Sequence, residues 1–455
     1  MIRHGALLAA LFLVPCGALG VVETTEARYA EIAREMVVTR DFLIPHLDGL
    51  PHLDKPPGAY WAIAPGVLLF GHNEWGARIS VVLAALLTLA FTARIAFLTG
   101  GNGARASWIL AASPLFFVLF HLASADPFLT TAVAGFHAAY VDERRRGGLL
   151  PFVALGLGLF IKGPVVFVPT LLPLIGAAWW TRSRRALRPL GNVVGWLVTL
   201  VLGLAWYVYI VLRVPGLAAY LLGHELWHRF ATTEHHRGGP PYYFVALLIV
   251  GVLPWTWATI RGLIARLRAR ADFERTVVAA WVVLPLLFFS LSGSKLPGYV
   301  LPLTPALAIA AAWALEGARW PREAAPALVA LFAVVPWFFS GQDEKAGSVR
   351  PVARYLRREA LASQRIYECG PFVAGLPYYL GREVLLYQVQ RDVRFATPEE
   401  REAIIRDAIE VPPSSSPDSA SWAFGDERLA QSTGQSTDLR MRWRKSVLLR
   451  GFSEP

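Results

Sequence analysis

Between two long apolar runs, residues 23–61 of this chain gather the side chains that chemistry needs. Asp41, His46, Asp48, His52, Asp54 and Lys55 crowd a stretch punctuated by Pro45, Gly49, Pro51, Pro56 and Pro57, which impose turns and fix the backbone. Just upstream, Ile32, Met36 and Val37 share one face of a helix-like segment, Ala27 and Tyr29 lie near its start, and Glu26, Arg28, Glu31, Arg34 and Glu35 supply charge elsewhere. That segment reads as an amphipathic helix at a membrane surface. Carboxylates take up protons and cations hold anions, so a stiff loop of this composition reads as a reactive site.

The elements that must position this loop are membrane spans. The chain has 455 residues, 55% hydrophobic, 12% aromatic and only 17% charged, and its mean hydropathy is +0.43. Apolar runs long enough to cross a bilayer recur along it, which makes it a polytopic membrane protein. The net charge of +11 does not point to nucleic acid, because most arginines sit in short clusters between apolar runs, where membrane orientation puts them. Two cysteines far apart, Cys16 and Cys369, make neither a metal pattern nor a disulfide framework.

Residues 6–22, behind Arg3, suit a short first span or a secretory signal ending near Ala18-Leu19-Gly20, and both readings place Glu23 outside the cytoplasm. Further spans are expected at approximately 76–98, 104–122, 126–141, 147–161, 164–181, 191–212, 242–260, 276–291, 297–315 and 324–340. The arginines check this pattern independently: Arg94 with Arg105, Arg144 to Arg146, Arg182 to Arg188, Arg261 to Arg275, and Arg319 with Arg322 fall at every second connection. The opposite connections, 23–76, 124–126, 162–164, 213–241 and 290–298, then face outward and hold most of the polar residues of interest.

From Gln342 the composition becomes that of a soluble domain. Residues 349–362 read as a helix, and 365–368 and 383–389 as strands. Thr397-Pro398-Glu399-Glu400 has the N-cap, first-turn proline and capping-box glutamate of a helix running to about Ile409. Residues 412–421 read as a loop and 441–450 as an edge strand. The expected organisation is a membrane domain over 1–340 and an extracytoplasmic α/β domain over 341–455.

The outward segments ETTEARYAEIAREM, PHLDGLPHLDKPPGAYW, SADPFL, FIKGP, HRF and SKLPGYVLP resemble, across roughly residues 20–310, the bacterial GT-C glycosyltransferases related to the lipid A aminoarabinose transferase and, more distantly, the protein O-mannosyltransferases. The resemblance implies an all-α polytopic membrane protein of the GT-C type with about eleven transmembrane helices, followed by the small soluble α/β domain. It also implies transfer of a sugar from a polyprenyl-phosphate carrier to a lipid A, glycolipid or protein acceptor at the outer face of a bacterial inner membrane. Site and C-terminal domain would face the periplasm. No nucleic acid and no required cofactor enter; some relatives hold a divalent metal near the site.

Carried onto this chain, the family pattern makes Lys55 and Arg28 a clamp for the carrier phosphate, with Tyr29 beside Arg28 and Lys162 as a third cation. The bland alternatives are a snorkelling Lys55, a surface ion pair of Arg28 with Glu31 or Glu35, and an anchoring Lys162. Tyr299 would line the cavity, or belong to an interfacial aromatic belt. One departure matters: where the family usually carries an aspartate, this chain has Thr25, so the base must be Asp126, Glu23 or Glu26. Against those roles, Glu23 and Glu26 suit a helix N-terminus, and Asp126 before Pro127 suits an N-cap. A metal would draw on Asp54 or His52 with His228 from the loop holding His224, Glu225, Arg229, Glu234, His235, His236 and Arg237; a solvated loop is the simpler reading.

Two rival functions fit the same cations. A transporter or flippase of lipid-linked glycans should place charges within spans and show two similar halves, whereas here charges gather in outward loops without visible repetition. A non-catalytic relative that binds carrier lipid is the other, kept open by Thr25. Reporter fusions after Arg145, Arg185 and Arg268 are expected to report the cytoplasm, and fusions after Gly238 and Gln342 the outside; an outside report after Arg268 or a cytoplasmic one after Gln342 rejects this topology.

Overall fold

The computed structural model describes residues 2–221, 239–268, 272–319, 321–359, 365–369, 372–387, 395–397, 401–402, 404–406, 421–426, 437–443 and 446–451. The chain divides into two compact units, the first comprising Met1–Pro15, Asp54–Ala59 and Ser80–Val335, the second Cys16–Leu53, Tyr60–Ile79 and Pro336–Pro455.

The first unit is helical. Among the described residues five helical runs are long and apolar enough to cross a membrane: Glu74–Leu98, Leu150–Trp180, Val193–Arg213, Phe273–Leu291 and Pro297–Ala314. The pair Tyr243–Gly251 and Thr256–Arg268, bent by 114° to one another, has the length and apolar character of a sixth when the two are taken together as one broken span. His4–Gly17, Gly58–Phe70 and Glu323–Phe338 are shorter apolar helices, the second of them lying mostly in the second unit. This is a multi-pass membrane protein.

Several expected spans are broken, and prolines are the cause. The run expected at 104–122 is two helices, Gly103–Ala111 and Pro114–Leu119, because Ser113 before Pro114 is extended with ψ 120°. Within Leu150–Trp180 the helix Leu150–Lys162 stops at Gly163, whose φ of 77° suits glycine, and Pro164 opens a 3-10 turn. A methyl at Gly158 would touch Val166. Residues eight apart on a straight helix lie about 12 Å apart, so the chain folds back here. The helix expected from 297 begins as a 3-10 turn, Pro297–Leu303, before Thr304–Ala314.

Packing in this unit relies on small residues, as helix contacts in lipid do. A methyl at Gly203 would run into Leu159, and one at Gly156 into Leu202 and the Thr199 backbone, so Leu150–Lys162 and Val193–Arg213 approach closely only without them. Buried His137 stacks on Trp281 with ring centroids 3.9 Å apart, and its Nε2 bonds the Pro169 carbonyl oxygen at 2.8 Å, joining three helices. The helix ends sort into two sets. At one, Arg94 donates to Asp142 at 2.7 Å, Arg146 pairs with Glu274, and Arg275 donates to the Thr99 carbonyl at 3.0 Å. At the other, Lys162 pairs with Asp126.

The second unit holds the helix Thr25–Thr39, a small hairpin and a sheet. In the hairpin β1 (His46–Leu47) pairs β2 (Leu50–Pro51) across Asp48 and Gly49, whose φ values of 51° and 70° are those of a tight primed turn. The sheet contains β3 (Ile366–Cys369), β4 (Leu385–Tyr387), β5 (Ile405–Arg406), β6 (Ser421–Asp426), β7 (Thr437–Trp443) and β8 (Ser446–Gly451) in the order β5-β4-β3-β6-β8-β7. Its first four positions run parallel and the β7–β8 hairpin closes it antiparallel. The helix expected at 349–362 is Arg350–Glu359.

Three expectations change here. Arg401, Glu402 and Ile404 are helical, but Ile405–Arg406 already pair with β4, so the helix expected to reach Ile409 yields to an edge strand; Pro398 to Glu400 lie outside the described residues. The tail read as one edge strand is a hairpin whose inner strand, β8, pairs on both sides. The Thr25–Thr39 helix is not a surface amphipath, since Glu26, Glu31, Arg34 and Glu35 are all buried with its apolar residues.

Those buried charges are answered by partners, as burial requires. Arg34 donates to both oxygens of Glu31 at 2.7 Å. Arg78 grips Glu26 at 2.7 and 2.8 Å and donates to the carbonyls of Cys16, Leu19 and Gly20. Arg350 holds Asp343 at 2.7 and 2.8 Å and Glu74 at 3.0 Å, while the Tyr379 hydroxyl donates to Glu74 at 2.8 Å and accepts the Val21 N–H at 2.6 Å. Asp48 accepts the Val384 N–H at 3.0 Å.

Glu35 is the strained member. It accepts the N–H groups of Asp48 and Gly49, yet burial first, then the nearby charges of Glu31 and Asp48, push its carboxyl well above the ordinary 4.5. A carboxyl raised on folding binds more protons in the folded state, so stability falls as pH rises from the unfolded value through the folded one. Glu35→Gln is therefore expected to raise the melting temperature at pH 8 and leave it nearly unchanged at pH 4.5; equal shifts at both, or a loss at pH 8, would contradict this.

Candidate active site

The first unit contains a cavity of about 720 Å³ walled mainly by apolar helix residues, among them Leu129, Val168, Leu204, Val211, Phe288 and Phe289. Its polar lining comes from Asp54 and Lys55, from Lys162 at the Gly163 fold-back, and from Tyr207, Ser292 and Tyr299. Proline-stiffened turns deliver these groups: Asp54-Lys55 precede Pro56 and Pro57, Lys162-Gly163 precede Pro164, and Tyr299 follows Pro297.

Asp126 occupies the second position of helix Ala125–Val141, whose N-cap is Ser124, so it is not the N-cap that Pro127 suggested. Its carboxylate pairs with Lys162, the side chains 24% and 17% exposed. The Lys162 ammonium also lies 5.2 Å from the Tyr299 ring centroid, a cation–π distance. A methyl at Gly298 would overlap the Asp126 carboxylate, so glycine lets the backbone before Tyr299 press against it. The Tyr220 hydroxyl donates to Asp54 Oδ1 at 3.1 Å. The lining of an apolar cavity thus carries two lysines, an aspartate and tyrosine rings, with Asp126 paired to one of the lysines. Such a set can hold an anion with an apolar tail and accept a proton beside it.

The structure brings together Asp126, Lys162, Tyr299, Asp54 and Lys55 within one unit. Glu23, Glu26, Arg28 and Tyr29 belong to the other. There Glu23 accepts the Gly375 N–H at 2.6 Å, Glu26 is held by Arg78, and Tyr29 packs on Tyr60 with centroids 4.9 Å apart. Arg28 is half-buried, and the Glu31 suggested as its surface partner is taken by Arg34 instead. Thr25 is exposed. Among the described residues no three His, Cys, Asp or Glu side chains converge as a metal requires. His228 and the rest of that loop, His224 to Arg237, lie outside the described residues.

Sequence reasoning missed Tyr207 and Tyr220. Both sit in aromatic-rich apolar runs, where a cavity-lining tyrosine reads no differently from a lipid-facing one. Sequence reasoning also passed over Arg78, although an arginine just inside an apolar run demands a buried partner.

Residues 16–221 match the family described as dolichyl-phosphate-mannose-protein mannosyltransferase. An undecaprenyl phosphate-alpha-4-amino-4-deoxy-L-arabinose arabinosyl transferase from Pseudomonas fluorescens Pf-5 is 32% identical over 313 residues, covering 66% of this chain and 56% of that protein. The corresponding transferase of Pseudomonas aeruginosa UCBPP-PA14 is 32% identical over 316 residues, with the same coverage. This chain is similar to the aminoarabinose transferases over about two thirds of its length. The GT-C resemblance carried by RYAEIAREM and DKPP therefore holds. The fold is shared as well: the crystal structure of ArnT from Cupriavidus metallidurans bound to undecaprenyl phosphate superposes with a TM-score of 0.83, at 23% identity, over 99% of this chain and 97% of that one. The chain spans about half the length of the curated relatives it matches.

Proposed function

We propose that this chain is a membrane glycosyltransferase that takes a sugar from a polyprenyl-phosphate donor and transfers it to a lipid A, glycolipid or protein hydroxyl at the outer face of a bacterial inner membrane. The observation that carries this reading is Lys162, paired with Asp126, in the lining of an apolar cavity that Lys55 also lines. An isoprenoid tail suits the apolar walls, and a phosphate suits the two ammonium groups.

The chemistry is a displacement at the anomeric carbon. The acceptor oxygen forms its bond to that carbon as the carbon–oxygen bond to phosphate breaks; the acceptor proton passes to Asp126, and the polyprenyl phosphate leaves with its charge met by Lys55 and Lys162. When the phosphate arrives, Lys162 exchanges part of its contact with Asp126 for the anion, which frees the carboxylate to act as base. Tyr299 keeps the ammonium in place through its ring face. The reaction as drawn needs no cofactor, and Asp54 is the group of this site that a divalent cation would use.

The full topology belongs to the same proposal: about eleven spans, the Arg94, Arg146 and Arg275 helix ends in the cytoplasm, and the Lys162, Asp126 and Tyr299 ends facing the periplasm. The chain from residue 341 would be a soluble α/β domain on that side. The support is the sorting of helix ends into an arginine-rich set and a set that borders the cavity.

The test measures donor binding and sugar transfer on the same purified protein. Lys55→Met is expected to weaken binding of undecaprenyl phosphate about tenfold or more while the protein still inserts and folds, the loss typical of a charge-assisted hydrogen bond. Asp126→Asn is expected to bind donor yet transfer sugar about a hundredfold more slowly. Transfer should survive EDTA; a loss restored by a divalent cation gives Asp54 a metal. Unchanged donor binding in Lys55→Met makes it an interfacial anchor. Near-normal turnover in Asp126→Asn moves the base elsewhere.

A further inference from the structure

Lys295 is 7% exposed and has no role in the site described so far. Among the described residues its partners are carbonyls rather than carboxylates: its Nζ donates to Ser290 O at 3.0 Å and Ser292 O at 2.8 Å, at the C-terminus of helix Phe273–Leu291. Helix ends leave such carbonyls unsatisfied, and a cation there is also favoured by the helix dipole. The same ammonium lies 5.6 Å from the ring centroid of fully buried Phe244.

From Lys295 a continuous set of contacts leads to the cavity. The Phe244 ring lies 6.3 Å from the Tyr299 ring, and Phe289, the residue before Ser290, lies 5.8 Å from it. Tyr299 is the ring over which Lys162 sits, and Gly298 is pressed against Asp126. The turn is tightened further by the Ser292 hydroxyl, which donates to the Ser294 carbonyl at 3.2 Å. Without the ammonium, the carbonyls at the helix end would turn to water and residues 292–296 would lose their fixed course.

We propose that Lys295 is a positioning residue for donor binding: it fixes the turn between helix Phe273–Leu291 and Pro297, so that the Tyr299 ring stands where it holds Lys162 beside Asp126. The inference rests on the reading of the cavity as the polyprenyl-phosphate site. Lys295 itself touches no reacting atom; its influence passes through Tyr299.

The experiment is equilibrium binding of undecaprenyl phosphate to the full chain in nanodiscs, with the melting temperature recorded alongside. Lys295→Met keeps the buried stem and removes the donor, and is expected to weaken binding about tenfold with little change in melting temperature. Tyr299→Leu should weaken binding at least as much. The double variant should bind no worse than Tyr299→Leu alone, because two residues acting through one contact do not add. Donor affinity equal to the parent's in Lys295→Met, or losses that multiply in the double variant, overturn the proposal. Should Lys295→Met fail to insert, Lys295→Gln, whose amide still reaches one carbonyl, is expected to lose about threefold, and parental affinity there is equally decisive. A parent protein that binds no undecaprenyl phosphate overturns the donor reading and this inference together; a parent that binds, with Lys295 variants that bind equally, overturns this inference alone.

Discussion

A single ion pair, Lys162 with Asp126, sets the terms for the cavity end of the helical unit. Both groups are largely withdrawn from water, and in such a place either charge alone would be costly, so two helices must end where the charges meet. Helix Leu150–Lys162 stops on its lysine because Gly163 and Pro164 turn the chain there, and helix Ala125–Val141 starts one residue before its aspartate. Gly298 must lack a side chain to lie against the pair, and Tyr299 must present its face to the ammonium. Three separate pieces of chain are thereby held to one place by one attraction. An ion pair poised to be exchanged for a substrate's charge is also a natural switch between a resting and a loaded site.

The second unit solves a different problem with similar means. Its helix Thr25–Thr39 carries charge on several faces, and each buried charge finds a partner from a remote part of the chain or one turn away. Such pairs stabilise little compared with apolar packing, but they tolerate few alternative arrangements, which makes them good at fixing position.

What the sequence revealed and what it hid follow from the range of the interactions involved. Apolar runs and alternating arginine clusters report local composition, so the membrane character and the grouping of Arg94, Arg146 and Arg275 at one end were legible before any coordinates. The DKPP and SKLPGY segments pointed to Lys55 and Tyr299 through the family resemblance they carry, since the residues alone read equally as interfacial anchors. Burial of Glu31, Arg34 and Glu35 was not legible: the periodicity of the helix was that of an exposed amphipath, and only contacts with later segments make it internal. The strand at Ile405–Arg406 was hidden for the same reason, since a strong capping box is local and pairing with β4 is not.

The partners of residues 20–48 have a consequence for biosynthesis. Gly20 needs Asp343, Val21 needs Tyr379, Glu23 needs Gly375, and Asp48 needs Val384. The ribosome completes the first of each pair more than three hundred residues before the second. Until then, these groups of the early segment must wait without their late partners, while the helical unit between them is made and inserted. The last third of the polypeptide thus acts as a late clasp on the first, and premature termination before Asp343 leaves the early segment without any of these four partners.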